Sequence, residues 1–307
     1  MSINQLVTSR AVIGEIYHRL QVGDGSYIDR YAMKISSSQE VENYAWLGQV
    51  PKMREWIGGR QPKGLRENTW SLTNKDHEAT LEILVKDLRR EKFGQIKVRI
   101  TELARRTLSY PSTLMSSLIA NGKATACYDG QFFFDIDHAE GDSGSQNNDL
   151  TFAAATGTVP TNAEMRDAIM DAIAAILGFK DDQGEPMNEG ARRFEVMVPI
   201  ALWPQATAAV TLPVVDANVT NIIPALKDFE ISVVPNARLT DATEFYVFRT
   251  DAETKPFILQ EEVPLNVSAV AEGSQLEFTD KKHWYGVDWA GVMGYGFWQH
   301  GALTTFT

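Results

Sequence analysis

Residues 46–60 read Trp-Leu-Gly-Gln-Val-Pro-Lys-Met-Arg-Glu-Trp-Ile-Gly-Gly-Arg. Downstream, residues 68–73 alternate in polarity and predict a strand, and residues 74–76 carry turn chemistry. Residues 78–85 then predict the returning strand. We therefore predict a long two-stranded loop, which has little sequence around it to bury its tryptophans, Trp46, Trp56 and Trp70. Such a loop folds back on the body, or another chain covers it.

Two helices are predicted before and after this loop. Residues 9–21 place apolar side chains on one stripe, which predicts a short amphipathic arm that needs something else to pack on. Residues 93–121 keep apolar steps of three and four, which predicts a helix of unusual length. Pro111 inside it predicts a kink or a break near Tyr110, and Asn121-Gly122 predicts its end.

The rest of the chain mixes one clear helix with strands. Thr161 and Glu164 have the spacing of a capping box, and the apolar stripe that follows predicts a helix over residues 161–178. An aromatic strand is predicted within residues 127–138. Later strands are predicted at 194–203, 229–234, 245–249 and 257–262, and the densely aromatic stretch 284–300 follows. The predicted class is α+β.

Composition excludes several classes of protein. The chain has 307 residues, a net charge of −11, 44% hydrophobic and 22% charged residues, which is ordinary for a globular protein. One cysteine, Cys127, excludes a disulfide framework and a multi-cysteine zinc site. The excess of acidic over basic side chains argues against a general nucleic-acid binder, which needs basic residues to neutralise phosphates. No signal peptide or membrane span is visible, so we expect a soluble protein made in the cytoplasm.

The stretch Gly141-Asp142-Ser143-Gly144 is similar to the nucleophile motif of chymotrypsin-like proteases. The following residues, Ser145-Gln146, depart from that pattern, and a serine nucleophile also needs a histidine base. A solvated loop is therefore the favoured interpretation.

Asp135, Asp137 and His138 are the candidate metal ligands, because alternate residues of a strand share a face. Ala139 and Glu140 stand where a calcium loop would need an oxygen ligand and a glycine. An Asx-type turn is favoured, and a structural cation remains the alternative. We predict no catalytic residue, no cofactor and no metal.

Four motifs carry a resemblance to a known family. They are the loop of residues 46–60, its return Asn74-Lys75-Asp76-x-Glu78-Ala79-Thr80, the aromatic stretch of residues 127–138, and the pair Tyr285-Gly286-Val287-Asp288 and Gly294-Tyr295-Gly296-x-Trp298-Gln299. Together they resemble the major head subunit, gpT, of Mu-like bacteriophages and prophages. The resemblance covers nearly the whole chain, and it is weakest between residues 139 and 225.

The resemblance implies the Hong Kong 97-type capsid fold. Residues 1–35 would form an N-terminal arm, and residues 36–86 an extended loop, the E-loop. Residues 87–150 and 251–307 would form the peripheral domain, whose spine helix spans about residues 93–122. Residues 151–250 would form the axial domain.

The implied function is that of a structural major capsid protein without enzymatic activity. Copies would form the pentamers and hexamers of an icosahedral shell that encloses double-stranded DNA without sequence-specific binding. The E-loop would lie over an adjacent subunit's spine helix, through Trp46, Pro51, Arg54, Glu55, Trp56, Gly58, Arg60 and Trp70. Expected partners are a portal, separate scaffolding and protease proteins, and a decoration protein. The shell would assemble in the bacterial cytoplasm, without membrane contact and without covalent crosslinks.

Two alternatives stay open. An encapsulin-like, non-viral container shares the implied fold. A hydrolase would use Ser143 or the loop from Asp135 to His138.

Overall fold

The computed structural model describes residues 9–22, 27–44, 47, 70–90, 93–155, 159–215 and 219–307. The strands in these ranges are β1 Ala32–Ser36, β2 Val41–Asn43, β3 Ser71–Thr73, β4 Lys75–Leu84, β5 Asp149–Phe152, β6 Arg193–Val198, β7 Val214–Val215, β8 Val219–Thr220, β9 Glu230–Pro235, β10 Glu244–Arg249, β11 Phe257–Val270, β12 Lys282–Tyr295 and β13 Gly301–Phe306. The helices are α1 Ser9–Val22, α2 Val85–Arg89, α3 Phe93–Ala120, α4 Asn162–Gly178, α5 Trp203–Thr211 and α6 Gln275–Asp280.

Two mixed sheets organise these elements. One has the strand order β1-β11-β12-β4, and the other has the order β5-β13-β10-β6-β9. Each sheet contains both parallel and antiparallel pairs. The class is α+β, as the sequence predicts.

The long helix α3 is continuous, so of the kink or break predicted near Tyr110 the break is wrong. It runs through Pro111, although proline removes one backbone hydrogen bond and crowds the preceding turn. Packing explains its persistence, because Ile100 and Ala104 before the proline and Met115 and Ile119 after it are buried. Burial on both sides outweighs the local cost.

The predicted hairpin of strands near residues 70 and 80 is also wrong. β3 pairs with β2, whereas β4 pairs along its length with β12. Asn74 between them makes no tight turn: its main-chain N–H donates to the carbonyl of Glu40, and its side-chain amide donates to Ser37 Oγ at 3.0 Å. The two ends of the 44–70 loop therefore join the β2–β3 pair.

The amphipathic helix α1 forms as predicted, but it finds its packing partner within the same chain. Val12 and Ile16 are fully buried and share a cluster with Ile96 and Ile100 of α3 and with Tyr285 of β12. Tyr285 Oη also lies 2.7 Å from Ser9 Oγ. The partner that this apolar stripe needs is therefore part of the same chain.

Helix α4 confirms its prediction in detail. Thr161 accepts the Glu164 N–H and Glu164 accepts the Thr161 N–H, which is the reciprocal capping box. Its buried stripe includes Ala168 and Ile169 and faces the five-stranded sheet.

The strand predicted over residues 194–203 ends early, at Val198. Pro199 begins a 3₁₀ turn, and Pro204 lies in the first turn of α5. Proline cannot donate to a strand ladder but suits a helix start, which explains the change.

Candidate assembly surface

The base of the 44–70 loop is fixed to the body by hydrogen bonds. The Tyr44 N–H donates to the Trp70 carbonyl at 2.8 Å, and Tyr44 Oη donates to Gln260 Oε1 of β11 at 2.6 Å. Burial raises the pKa of Tyr44 to about 12, so its hydroxyl keeps the proton that it donates. Gln260 in turn donates to Asn74 Oδ1 at 2.8 Å. These bonds hold both ends of the loop against the four-stranded sheet.

Of the eight residues predicted to contact a neighbouring subunit, Trp70 lies in the described part of the chain. It is half-buried and packs against the main core, and its indole N–H has no hydrogen-bond partner within the described residues. The other seven lie outside the described residues: Trp46, Pro51, Arg54, Glu55, Trp56, Gly58 and Arg60.

A groove of about 510 Å³ lies between α3 and the four-stranded sheet. Among its lining residues, Trp289 stacks on His77 with ring centroids 5.1 Å apart. The Tyr110 ring contacts both of these rings. Tyr110 Oη lies 3.0 Å from His77 Nδ1, and Trp289 Nε1 donates to Glu261 Oε2 at 3.1 Å. The aliphatic lining comes from Ile28, Leu108, Pro111, Leu259, Leu265 and Val287.

The charges around this groove are mainly acidic. Among the described residues, five carboxylates line it against two cations, which gives a net charge of −3: Asp29, Asp76, Glu78, Glu261 and Asp288 against Lys34 and Arg106. Lys34 pairs with Glu261 at 3.0 Å, and Arg106 pairs with Glu102 at 3.2 Å. An apolar floor with an acidic rim fits a partner segment that is both apolar and basic.

A second surface surrounds α5. Residues 199–226 contain one charged residue, Asp216, although 22% of the chain is charged. Large apolar side chains are nevertheless exposed there: Ile200, Trp203, Leu212, Val214 and Ile222. Charge depletion together with exposed apolar residues is typical of the core of a protein interface.

The loop that holds the candidate metal ligands does not bring them together. Residues 127–138 form turns and take part in two isolated bridges, Ala126 with Phe132 and His138 with Gln146, instead of the predicted strand. The Asp135 carboxylate accepts the main-chain N–H groups of Phe132 and Ile136. Asp137 is exposed, and His138 turns inward. The Asp135 carboxylate is therefore satisfied by main-chain donors, but neither donor is the N–H two residues on that defines an Asx turn.

Asp129 was not among the candidate residues predicted from the sequence. Its carboxylate lies 2.6 Å from His138 Nδ1, and Cys127 Sγ donates to its other oxygen at 3.0 Å. Burial alone would raise the pKa of Asp129, but the hydrogen bonds and charge of His138, with the Cys127 and Gln131 donors, hold that pKa below its usual value. The turn sequence Asp129-Gly130, with Gly130 at φ +90°, was the available signal.

Ser143 is not placed as a nucleophile. It is buried, and its hydroxyl accepts the Glu140 N–H and donates to the Gly144 carbonyl. Both bonds serve the local turn, so nothing in this geometry supports a protease.

None of the helices within the described ranges is both long and apolar enough to cross a membrane.

Comparison with known proteins gives one family. The family model described as Mu-like prophage major head subunit gpT matches residues 12–162 and 225–304. The Mu-like prophage FluMu major head subunit of Haemophilus influenzae is 36% identical over 110 residues, and the major capsid protein of Escherichia phage Mu is 33% identical over 113 residues. The aligned parts span 36% and 37% of those relatives' lengths, respectively.

Solved structures agree on the fold. A chain of the procapsid of bacteriophage JBD30 superposes with a TM-score of 0.56 at 23% identity, covering 97% of this chain and 74% of that chain. The Hong Kong 97-type capsid fold expected from the sequence is thereby confirmed.

Proposed function

This chain belongs to the family of Mu-like prophage major head subunits (gpT), and we propose that it builds the shell of a phage head. Copies would form pentamers and hexamers of an icosahedral capsid around double-stranded DNA. The family match over two long stretches of the chain is the observation that carries this proposal, and the capsid fold supports it.

The division into regions is part of the proposal. Residues 1–35 would form the arm, 36–86 the E-loop, 87–150 and 251–307 the peripheral domain, and 151–250 the axial domain. We amend that division at one point: because β13 lies between β5 and β10, the last strand would belong to the axial domain.

The E-loop of one subunit would dock on the groove beside α3 of its neighbour. Residues 45–69 carry five basic and two acidic side chains, a net charge of +3, and they include Trp46 and Trp56. The groove carries a net charge of −3 around an apolar floor. Opposite charges would select the partner and set its register, and buried tryptophans would supply most of the affinity. Trp46, Pro51, Arg54, Glu55, Trp56, Gly58, Arg60 and Trp70 are the proposed contact residues.

The α5 surface would join copies around the axes of pentamers and hexamers. Each subunit carries a net charge of −11, so contacts between copies must avoid placing carboxylates face to face. The stretch of residues 199–226, with one charge, offers such a contact, and its exposed side chains Ile200 and Trp203 would be buried there.

The subunit would depend on separate partner proteins and would catalyse no reaction itself. The portal, scaffolding, protease and decoration proteins would be separate chains, and assembly would take place in the bacterial cytoplasm. The subunit would have no catalytic role, since Ser143 and the Asp135–His138 loop serve local structure. The match to a head-subunit family favours a phage shell over a non-viral container.

Substitution of Trp56 tests the proposal. Trp56→Ala should leave a folded, soluble subunit that forms no shells, as seen by size-exclusion chromatography and electron microscopy. Phe278→Ala is the matched control, because Phe278 is 87% exposed on α6 and lies outside both surfaces. Normal shells from Trp56→Ala would remove Trp56 from the contact set.

A further inference from the structure

The negative charge of the chain is unevenly distributed over the fold. Helices α1 and α3 together carry six cations and two carboxylates, a net charge of +4, in a chain whose net charge is −11. Residues 129–149 and 180–189 carry ten carboxylates and one cation, a net charge of −9. These two stretches pack together, since the Asp142 N–H donates to the Asp182 carbonyl at 2.9 Å. The subunit therefore has a basic helical layer, formed by α1 and α3, and an acidic pair of loops.

The length of α3 separates these two charged regions. The cations of α3 lie in its first half, whereas the acidic loop of residues 129–149 follows its last residue, Ala120. Arg99 stands about 32 Å from that end at the rise of an α-helix. The apolar core is divided in the same way, because Ile100 belongs to the small cluster beneath α1 and Phe133 belongs to the main core. The two charged regions therefore lie over different parts of the core.

One carboxylate ties the two helices into a single layer. Glu15 of α1 lies 2.8 Å from Arg19 and 3.4 Å from Lys97 of α3. Two cations thus share one carboxylate, so this contact leaves a surplus of one positive charge. Beneath it, Val12 and Ile16 are buried in the cluster that α1 shares with α3.

The outward face of the layer shows the same excess of positive charge. Glu102 lies 2.7 Å from Arg105 and 3.2 Å from Arg106, whose side chains are 72% and 78% exposed. Arg10 and Arg99 are exposed and have no ion-pair partner within the described residues. Arg99 and Arg106 share one stripe of α3, because they stand two turns apart. Exposed cations therefore dominate this face.

The same face offers few apolar side chains to a protein partner. Thr113 and Ser117 are exposed farther along α3. The large apolar side chains exposed on the layer are Val98, Tyr17 and Val22, and the Tyr17 hydroxyl is turned to β11, where it accepts a main-chain N–H. Protein interfaces take most of their affinity from buried aromatic and apolar anchors, whereas phosphate contacts use arginine, lysine and hydroxyl groups. The composition favours a nucleic-acid backbone over an acidic protein.

We propose that the outward face of α1 and α3 binds the phosphate backbone of duplex DNA without sequence preference, and that this face is turned to the interior of the shell. The inward orientation rests on the proposed capsid function, whereas DNA binding is a property of a single subunit. A wall with a net charge of −11 per copy repels a polyanion. The basic layer sets opposite charge against the DNA and keeps the acidic loops at the other end of α3.

Fluorescence anisotropy of a short labelled duplex, mixed with the purified full-length subunit, measures the binding. Neutralising about four phosphates gives a slope of about −3.6 for the logarithm of affinity against the logarithm of salt concentration, so affinity should fall roughly 150-fold between 50 mM and 200 mM salt. Two duplexes of unrelated sequence should bind alike. No binding at 50 mM salt with about 100 µM protein, the weak limit of non-specific binding, would overturn the proposal.

Removing three of the surplus charges should remove most of the salt dependence. In the triple variant Arg10→Gln, Arg99→Gln and Arg105→Gln the layer keeps a net charge of +1. The slope should fall to about −0.9 and the loss of affinity over the same salt range to roughly fourfold. Arg106 is left in place because it also lines the groove beside α3. An unchanged slope would overturn the proposal.

The matched control lowers the net charge of the chain by the same three units at exposed positions outside the layer, in Lys180→Gln, Lys227→Gln and Lys281→Gln. It should bind the duplex as the unchanged subunit does. An equal loss in both triple variants would show that overall charge sets the affinity, and would overturn the proposal.

Sodium polyglutamate tests the alternative of an acidic protein. At equal charge it should displace the labelled duplex less effectively than unlabelled duplex does. Equal or stronger displacement by polyglutamate would overturn the proposal in favour of an acidic polypeptide.

Assembled shells test the inward orientation. Closed shells should bind almost none of a duplex added outside them, whereas the same mass of free subunits binds it. Equal binding by shells would place the face on the exterior and overturn the orientation. A chain that forms no particles would contradict the capsid function, while the anisotropy result for the subunit would stand.

Discussion

Leu72 of β3 lies directly against Gly294 of β12. A Cβ atom added to Gly294 would stand 2.3 Å from Leu72 Cδ2 and 2.7 Å from Cδ1. Leu72 is 8% exposed, so it has little free space to move into. Strand β3 follows the 44–70 loop directly. It therefore packs on the sheet where position 294 has room for glycine but not for a residue with a Cβ atom.

Gly294→Ala should destabilise the subunit by about 1–3 kcal/mol, the usual cost of overpacking a core. The added methyl group would push Leu72 and β3 away from the sheet. Urea denaturation of the purified subunit measures the change. Gly190→Ala is the control, since its Cβ would meet nothing within 4 Å; equal midpoints for the two variants would contradict the contact.

Reversing the charge of the groove should block assembly without unfolding the subunit. Asp29 and Asp76 are exposed on the groove lining, so Asp29→Lys with Asp76→Lys should leave stability unchanged. We expect particle yield to fall roughly tenfold or more, because like charges would then face the basic loop of residues 45–69 at a cost above about 1.4 kcal/mol.

The matched control for that variant reverses the charge of two exposed acidic side chains outside the groove lining, in Glu189→Lys with Glu253→Lys. Electron microscopy and sedimentation give the particle yield for both. An equal loss in the control would show that net charge, and not the groove, limits assembly.

Cys127 should resist thiol reagents in the folded subunit. It is 2% exposed, and burial together with the Asp129 carboxylate raises its pKa, so little thiolate is present. Mass spectrometry at pH 8 should show labelling by iodoacetamide in urea and almost none under native conditions. Fast native labelling would mean that the loop around Asp129 opens readily.

His300 should make the subunit less stable as the pH falls. Its folded-state pKa of about 3 lies below the unfolded value of about 6.5, so the unfolded chain binds the extra proton between these values. Stability from this group is present above pH 6.5 and is lost on acidification, with a slope of at most about 1.4 kcal/mol per pH unit.

Urea denaturation between pH 7 and pH 4 checks this dependence. His300→Gln should flatten the decline, whereas His18→Gln, at an exposed position of α1, should not. A slope unchanged by His300→Gln would contradict the buried neutral histidine.

Local signals predicted local structure well. The capping box of Thr161 and Glu164 and the stripe behind it defined α4, because both depend on residues three or four positions apart. The length of α3 also followed from its periodicity, although the sequence could not show that burial on both sides of Pro111 keeps it continuous.

Long-range pairing could not be predicted in the same way. Asn74-Lys75-Asp76 has the composition of a turn, yet β4 pairs with β12, about two hundred residues away. The run of aromatic residues Phe132-Phe133-Phe134 predicted a strand, but turns and side-chain bonds to the main chain shape that loop instead. His138 was recognised as a candidate, whereas its partners Asp129 and Asn148 became evident when the fold brought them together.

Electron microscopy of the purified protein at high concentration, beside its size-exclusion profile, shows whether this chain builds a shell. Co-expression with a scaffolding partner completes the comparison. We expect shells, tubes, or pentameric and hexameric rings. A compact monomer at every concentration, with no particles even beside the scaffolding partner, would contradict it.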